Sequence, residues 1–198
     1  MQFFMNTTSP YARIARIALW EKGLREVETR IVDPWGDDPA LLAANPAARV
    51  PTLVTDDGQI IAESLLIVLW LEATRPEPPL LGGDATGSVA RAGTAMGVID
   101  AAVHTLIGRK TAGPGFDESP VGLRRRRSMA EGLKRLDAEA PEAAEGTPTL
   151  AAITGTVALD YVQFRFPQAG WMPPVPRLER LQRQMRARPS VEQTLPHG

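Results

Sequence analysis

Residues 45–67 read NPAARVPTLVTDDGQIIAESLLI, and this stretch decides the fold. Asp56-Asp57-Gly58 is a hairpin turn signal, so residues 52–55 and 59–62 are predicted as two antiparallel strands. Glu63 opens a strongly apolar helix over 63–74, which Pro76, Pro78 and Pro79 end. On the other side, Asn45-Pro46 closes a short helix over 38–44. Further out, residues 2–6 are apolar and suit a buried strand, and Thr7, Thr8, Ser9 and Pro10 break it. Ser9 followed by Pro10 is a helix start, because serine caps and proline fits the first helical position. Ile14, Ile17, Ala18 and Leu19 recur at helical spacing and Gly23 is a stop, so this helix spans 10–22. Residues 27–32 alternate and read as a further strand, followed by a loop over 33–37.

The predicted order is β-α-β-α-β-β-α: an α/β sandwich with a mixed four-stranded sheet, the order of a thioredoxin-like fold. Residues 1–78 form this domain, and 79–87, rich in Pro, Gly and small polar residues, form a linker. Residues 88–198 show no strand pattern and are expected to be all helical, with helices over 89–107, 121–140, 149–164 and 175–186.

Composition excludes several classes. Of 198 residues, 43% are hydrophobic and 23% charged, which is ordinary globular usage. A net charge of -1 supplies no field to recruit nucleic acid or an anionic membrane. The absence of cysteine excludes disulfides, thiolate metal sites and chemistry on a protein thiol. His104 and His197 lie far apart without acids at ligand spacing, so no metal is expected. The longest apolar run, 65–71, falls short of a membrane span, and no leader pattern is apparent, so a cytoplasmic protein is expected. Arg124 to Arg127 occupy all sides of a helix and read as a solvated surface. Trp171 reads as loop packing.

Three short motifs carry the chemistry. Ser9 at a helix N-terminus is at least a cap. The same geometry stabilises a thiolate, because the helix start presents unpaired amides and partial positive charge, and a hydroxyl adds a hydrogen bond. Thr7 and Thr8 share the loop and offer the same group. Arg49-Val50-Pro51 enters a strand. A cis bond here would turn the Val50 backbone outward to pair with an extended peptide ligand. Glu63-Ser64 at a helix start is favourable by itself. It also offers an acceptor for an amino group, and a hydroxyl and amides for a carboxylate.

The ordered set N-x-x-S-P-Y-A-R-I-A-R-I-A-L-x-E-K-G-L, N-P-A-A-R-V-P-T-L and D-D-G-x-I-I-A-E-S-L-L-I resembles the N-terminal half of the glutathione transferase superfamily over residues 2–80. The resemblance implies that Ser9 sits at the locus that activates glutathione. It also implies that Val50 pairs with the cysteinyl unit, that Pro51 is the cis-proline, and that Glu63 and Ser64 hold the γ-glutamyl end. Arg49 would reach the tripeptide, Trp35 its glycyl end, and Arg13 would be structural or at the domain interface. Glutathione would be a co-substrate, attacking a small hydrophobic electrophile in a pocket lined by the start of the 10–22 helix and by residues 98–105 and 113–116. A homodimer is implied, with no nucleic-acid or membrane partner. Glutathione-dependent isomerisation, dehalogenation or peroxide reduction, a non-catalytic carrier and a scaffold are the other readings, and the missing cysteine removes mixed-disulfide reduction. The superfamily often places a Ser/Thr-x-x-Asp box before a helix of the second domain. Here Thr149-Leu150-Ala151-Ala152 lacks the acid, and Asp160 is the candidate buried capping partner.

Overall fold

Phe3, Phe4 and Met5 of β1 (Gln2–Met5) are all buried, so both faces of this strand are covered. The computed structural model describes residues 1–141 and 146–197. In it β1 is an inner strand of a four-stranded sheet with the order β2-β1-β3-β4. β2 (Glu28–Ile31) runs parallel to β1, which requires the crossover helix α1 (Pro10–Glu21) between them. β3 (Thr52–Val54) is antiparallel to β1, and β4 (Ile60–Ala62) pairs antiparallel with β3 across the Asp56-Asp57-Gly58 turn. Gly58 takes φ 80, which glycine adopts without a Cβ penalty.

Alternation along the strands sorts the core. Phe4 joins Val32 and Leu41 of α2 (Pro39–Ala44) in one buried cluster, with Val50 and Val54 packed against it. Phe3, Met5 and Leu53 point to the opposite face and are equally buried. α1 and α3 (Ser64–Thr74) pack against each other. The fold is the thioredoxin-like α/β arrangement expected, with each strand one or two residues shorter than its pattern.

Two compact units divide the chain: Met1–Leu80 with Arg188–Gly198, and Leu81–Ala187. The tail, read from sequence as trailing the helices, thus returns to the first unit. There α8 (Pro189–Glu192) meets α1. Arg188 and Ser190 bind the Glu21 carboxylate, and buried Arg13 donates to the Val191 carbonyl at 3.2 Å. Lys22, with its side chain fully buried, donates to the carbonyls of Arg75 (2.7 Å) and Pro76 (3.2 Å) and to Glu72, closing the C-terminal end of α3.

The second unit holds α4 (Ala85–Ala112), a short 3-10 turn (Pro114–Glu118), α5 (Pro120–Ala138), α6 (Leu150–Arg165) and α7 (Pro176–Arg186). α4 is longer than the 89–107 expected and takes up the end of the predicted linker. Asp84 caps its start through the Gly87 amide at 2.9 Å, and Gly113 at φ 79 ends it. α6 is buried on every face from Leu150 to Val162, as befits a central helix. Its start needs no acid at Ala152. The Ala152 amide donates to Thr149 Oγ1 (3.3 Å), and the Ala151 amide donates to Ser88 Oγ of α4 (3.2 Å). Asp160 is buried. It accepts from Gln182 Nε2 at 2.6 Å and from Arg186 of α7. α7 is capped by Asp137 of α5, whose Oδ1 accepts from the amides of Arg177 (2.7 Å) and Leu178 (2.9 Å). Trp171 meets Phe166 edge to face at 5.8 Å. Among the described residues no helix is long and apolar enough to cross a membrane.

Candidate functional site

Strand register gathers the candidate residues at one end of the sheet. Met5 lies beside Ile31, Phe4 beside Thr52, and Thr52 beside Ala62. The end of β1, the end of β2, the start of β3 and the end of β4 therefore share one edge. Ser9 follows β1, Trp35 follows β2, Val50 and Pro51 precede β3, and Glu63 and Ser64 follow β4.

Ser9 is the N-cap of α1, and its Oγ accepts the Ala12 amide at 3.1 Å. Capping uses the oxygen as an acceptor and leaves the hydroxyl proton to donate elsewhere. Pro10 occupies the first turn and no acidic residue stands there, so nothing local opposes the positive end of the helix. Asn6 organises the approach. Its side-chain Oδ1 accepts from Thr8 N (2.9 Å) and Thr8 Oγ1 (2.7 Å), and its carbonyl accepts from Ser9 N (3.2 Å). The Thr8 hydroxyl thus donates within the loop.

The Val50–Pro51 bond is cis; so is Glu77–Pro78, which sequence reading did not single out. The segment ahead of Pro51 is held from below. Asn45 Nδ2 donates to the Arg49 carbonyl (3.2 Å) and to Thr52 Oγ1 (3.1 Å), and Thr52 Oγ1 donates to the same carbonyl (2.9 Å). Asn45 is 8% exposed and Thr52 is fully buried.

Glu63 takes φ 74 and ψ 129, a conformation that a residue with a Cβ rarely adopts and that costs about 1–3 kcal/mol. Such strain concentrates where function needs it. Next to it Ser64 is 1% exposed, and among the described residues its hydroxyl has no hydrogen-bond partner. A buried polar group left unpaired costs about 1–3 kcal/mol, and a hydroxyl at a helix start is suited to donate to an anionic group. Arg49 Nη1 stands 3.5 Å from Glu63 Oε1, with both side chains largely in solvent.

Trp35 follows β2 at this end; it is 60% exposed and its amide donates to Asp33 Oδ1 at 2.9 Å. The nearby Asp38 carboxyl is held below its ordinary pKa, chiefly by the Leu41 amide at the start of α2. On α1, Arg16 is pushed below its ordinary value by burial and by neighbouring Arg13. The sequence reading had missed Asn6, Asn45 and Thr52. Asn45 was legible only as a helix stop, because its side-chain partners are set by the β3 register.

Comparison with known proteins follows the same residues. The family profile described as Glutathione S-transferase, N-terminal domain, matches residues 8–74. The fold superposes with a TM-score of 0.89 on a glutathione S-transferase from Methylobacterium radiotolerans in complex with glutathione sulfonate, with 32% identity over 100% of this chain and 95% of that one. A glutathione transferase family member from Pseudomonas fluorescens with bound glutathione gives a TM-score of 0.88 and 29% identity, covering 100% and 99% of the two chains. The uncharacterized GST-like protein YibF of Escherichia coli is 29% identical over 99% of this chain and 98% of its own length.

Proposed function

The chain belongs to the glutathione S-transferase superfamily, and from that premise we propose that it binds glutathione at this end of the sheet and activates its thiol for attack on a small electrophile. The observation that carries the reading is the unpartnered Ser64 hydroxyl, buried beside a strained Glu63. The γ-glutamyl carboxylate would accept from Ser64, and the Glu63 carboxylate would accept from the amino group. Two strand spacings, about 10 Å, separate β4 from β1. An extended γ-glutamyl-cysteinyl unit reaches about the same distance from its α-carboxylate to its sulfur, so a γ-glutamyl group over β4 would bring the cysteinyl sulfur over Ser9.

In this reading the protein forms no covalent bond. The positive end of α1 and the Ser9 hydroxyl proton stabilise the thiolate, and the fold holds it in line. The sulfur then forms a bond to carbon. The electron pair leaves with a leaving group, or goes to an activated double bond that takes its proton from water. Arg49 lies beside Glu63 and would reach the tripeptide, while Trp35 would approach its glycyl end. Val50, ahead of Pro51, would pair with the cysteinyl backbone. Leu66 and Leu69, exposed one turn apart on α3, would suit pairing with a second copy.

Ser64→Ala tests the reading by opposite signs. Removing an unpaired buried hydroxyl should leave the ligand-free protein as stable or about 1 kcal/mol more stable. Glutathione affinity, followed by titration calorimetry, should fall about tenfold or more. A destabilised variant with unchanged affinity would mean that Ser64 is structural and the ligand lies elsewhere.

A further inference from the structure

The Arg49 carbonyl is the best-anchored backbone group next to the candidate site. It accepts from Asn45 Nδ2 at 3.2 Å and from Thr52 Oγ1 at 2.9 Å, and both donors are buried. Asn45 Nδ2 also donates to Thr52 Oγ1 at 3.1 Å, so the three groups form a closed triangle. Asn45 is held in turn, because its Oδ1 accepts the Ala47 amide (3.1 Å) and its carbonyl the Ala48 amide (2.8 Å). The side chain has no freedom to rotate away without losing several bonds at once.

Peptide planarity carries this anchoring forward. The Arg49–Val50 bond is not one of the two cis bonds, so its C=O and N–H point in opposite directions within one rigid plane. With the carbonyl pinned toward Asn45 and Thr52, the Val50 N–H is aimed away from them. Among the described residues that N–H has no hydrogen-bond partner.

We propose that Asn45 and Thr52 are positioning residues: by clamping the Arg49 carbonyl they aim the Val50 N–H at the backbone of the bound tripeptide. The proposal rests on the glutathione reading above and adds to it the pair that sets the direction of its strand-like contact. The cost of organising this donor is met in the folded protein before the ligand arrives, which is why the clamp acts on affinity.

Thr52→Val keeps the shape of the side chain and removes its hydroxyl, Thr52→Ser keeps the hydroxyl, and Asn45→Asp keeps the acceptor for Ala47 and removes the donor. Glutathione KM should rise about five- to fiftyfold in Thr52→Val and Asn45→Asp. The kcat at saturating glutathione and the pKa of the bound thiol should hold, and Thr52→Ser should restore KM. A parallel fall in kcat, or no recovery with serine, would overturn the proposal in favour of a general structural role. Residual dipolar coupling of the Val50 N–H in ligand-free protein gives the second readout. The coupling should change in Thr52→Val and return in Thr52→Ser; an unchanged coupling would overturn the proposal whatever the ligand. Wild-type protein that fails to bind glutathione would instead sink the glutathione reading, and the coupling would still judge the clamp.

Discussion

Replacing Ser9 separates two jobs that one oxygen performs. Its lone pair caps α1 through the Ala12 amide at 3.1 Å, while its proton is the one proposed to reach the glutathione sulfur. Glycine is the informative substitution. An N-cap serine changed to glycine costs a few tenths of a kcal/mol, whereas alanine costs about 1 kcal/mol. Both remove the donor. A hydrogen bond to a charged acceptor contributes about 1.5–3 kcal/mol, and one pKa unit is about 1.36 kcal/mol. The thiol pKa of bound glutathione should therefore rise by about 1–2 units in Ser9→Gly and Ser9→Ala alike. Turnover below that pKa should fall about ten- to a hundredfold, with little change in glutathione affinity. Only Ser9→Ala should lose about 1 kcal/mol in urea unfolding, and Ser9→Thr should keep both properties. The assay is a pH titration of ultraviolet thiolate absorbance on the bound complex, paired with pH–rate profiles. A Ser9→Gly protein that still forms the thiolate at the wild-type pH would refute the reasoning and turn attention to Thr7, since Thr8 already donates to Asn6.

Three further substitutions test the scaffold. Lys22→Met removes a fully buried ammonium whose acceptors are Glu72 and the carbonyls of Arg75 and Pro76. It should cost about 3–5 kcal/mol by denaturant unfolding, and adding Glu72→Leu should recover part of the loss. A Cβ on Gly122 would clash with the Phe116 carbonyl oxygen, whereas one on Gly93 meets nothing within 4 Å. Gly122→Ala should therefore destabilise by at least about 1 kcal/mol, and Gly93→Ala should stabilise α4 by up to about 1 kcal/mol, both read by thermal melts. Asp117 is held below its ordinary pKa chiefly by its hydrogen bonds from Arg109. A depressed folded pKa gives stability that is complete above the unfolded value, about 3.9, and lost as pH falls through the folded one. Acid unfolding of Asp117→Asn should accordingly be flatter below about pH 4, and an identical acid profile would show that the pair contributes nothing there.

Local chemistry made much of the first unit legible. Asp56-Asp57-Gly58 set the hairpin, Ser9-Pro10 set the start of α1, and Asn45-Pro46 set the end of α2, because turns and caps depend on neighbours a few residues away. The candidate motifs were equally plain as residue types. Their geometry was not. The left-handed φ of Glu63, the burial of the Ser64 hydroxyl and the inward pull on the Arg49 carbonyl follow from strand register and packing. Propensity and periodicity do not encode either.

The helical unit shows the same division more sharply. Apolar periodicity located its helices, yet the caps that finish them come from far along the chain. Ser88 serves α6 across 63 positions, and Asp137 serves α7 across 40 and 41. The return of the tail to α1, through an Arg13 contact spanning 178 positions, left no local signal either. By itself the sequence determined which elements form and which residue types stand at their ends, since those depend on short-range sterics and hydrogen bonding. Only the tertiary structure decided which polar groups find partners and which, like the Ser64 hydroxyl, find none among the described residues. Pairing between distant residues is settled by packing, and packing is a property of the whole chain.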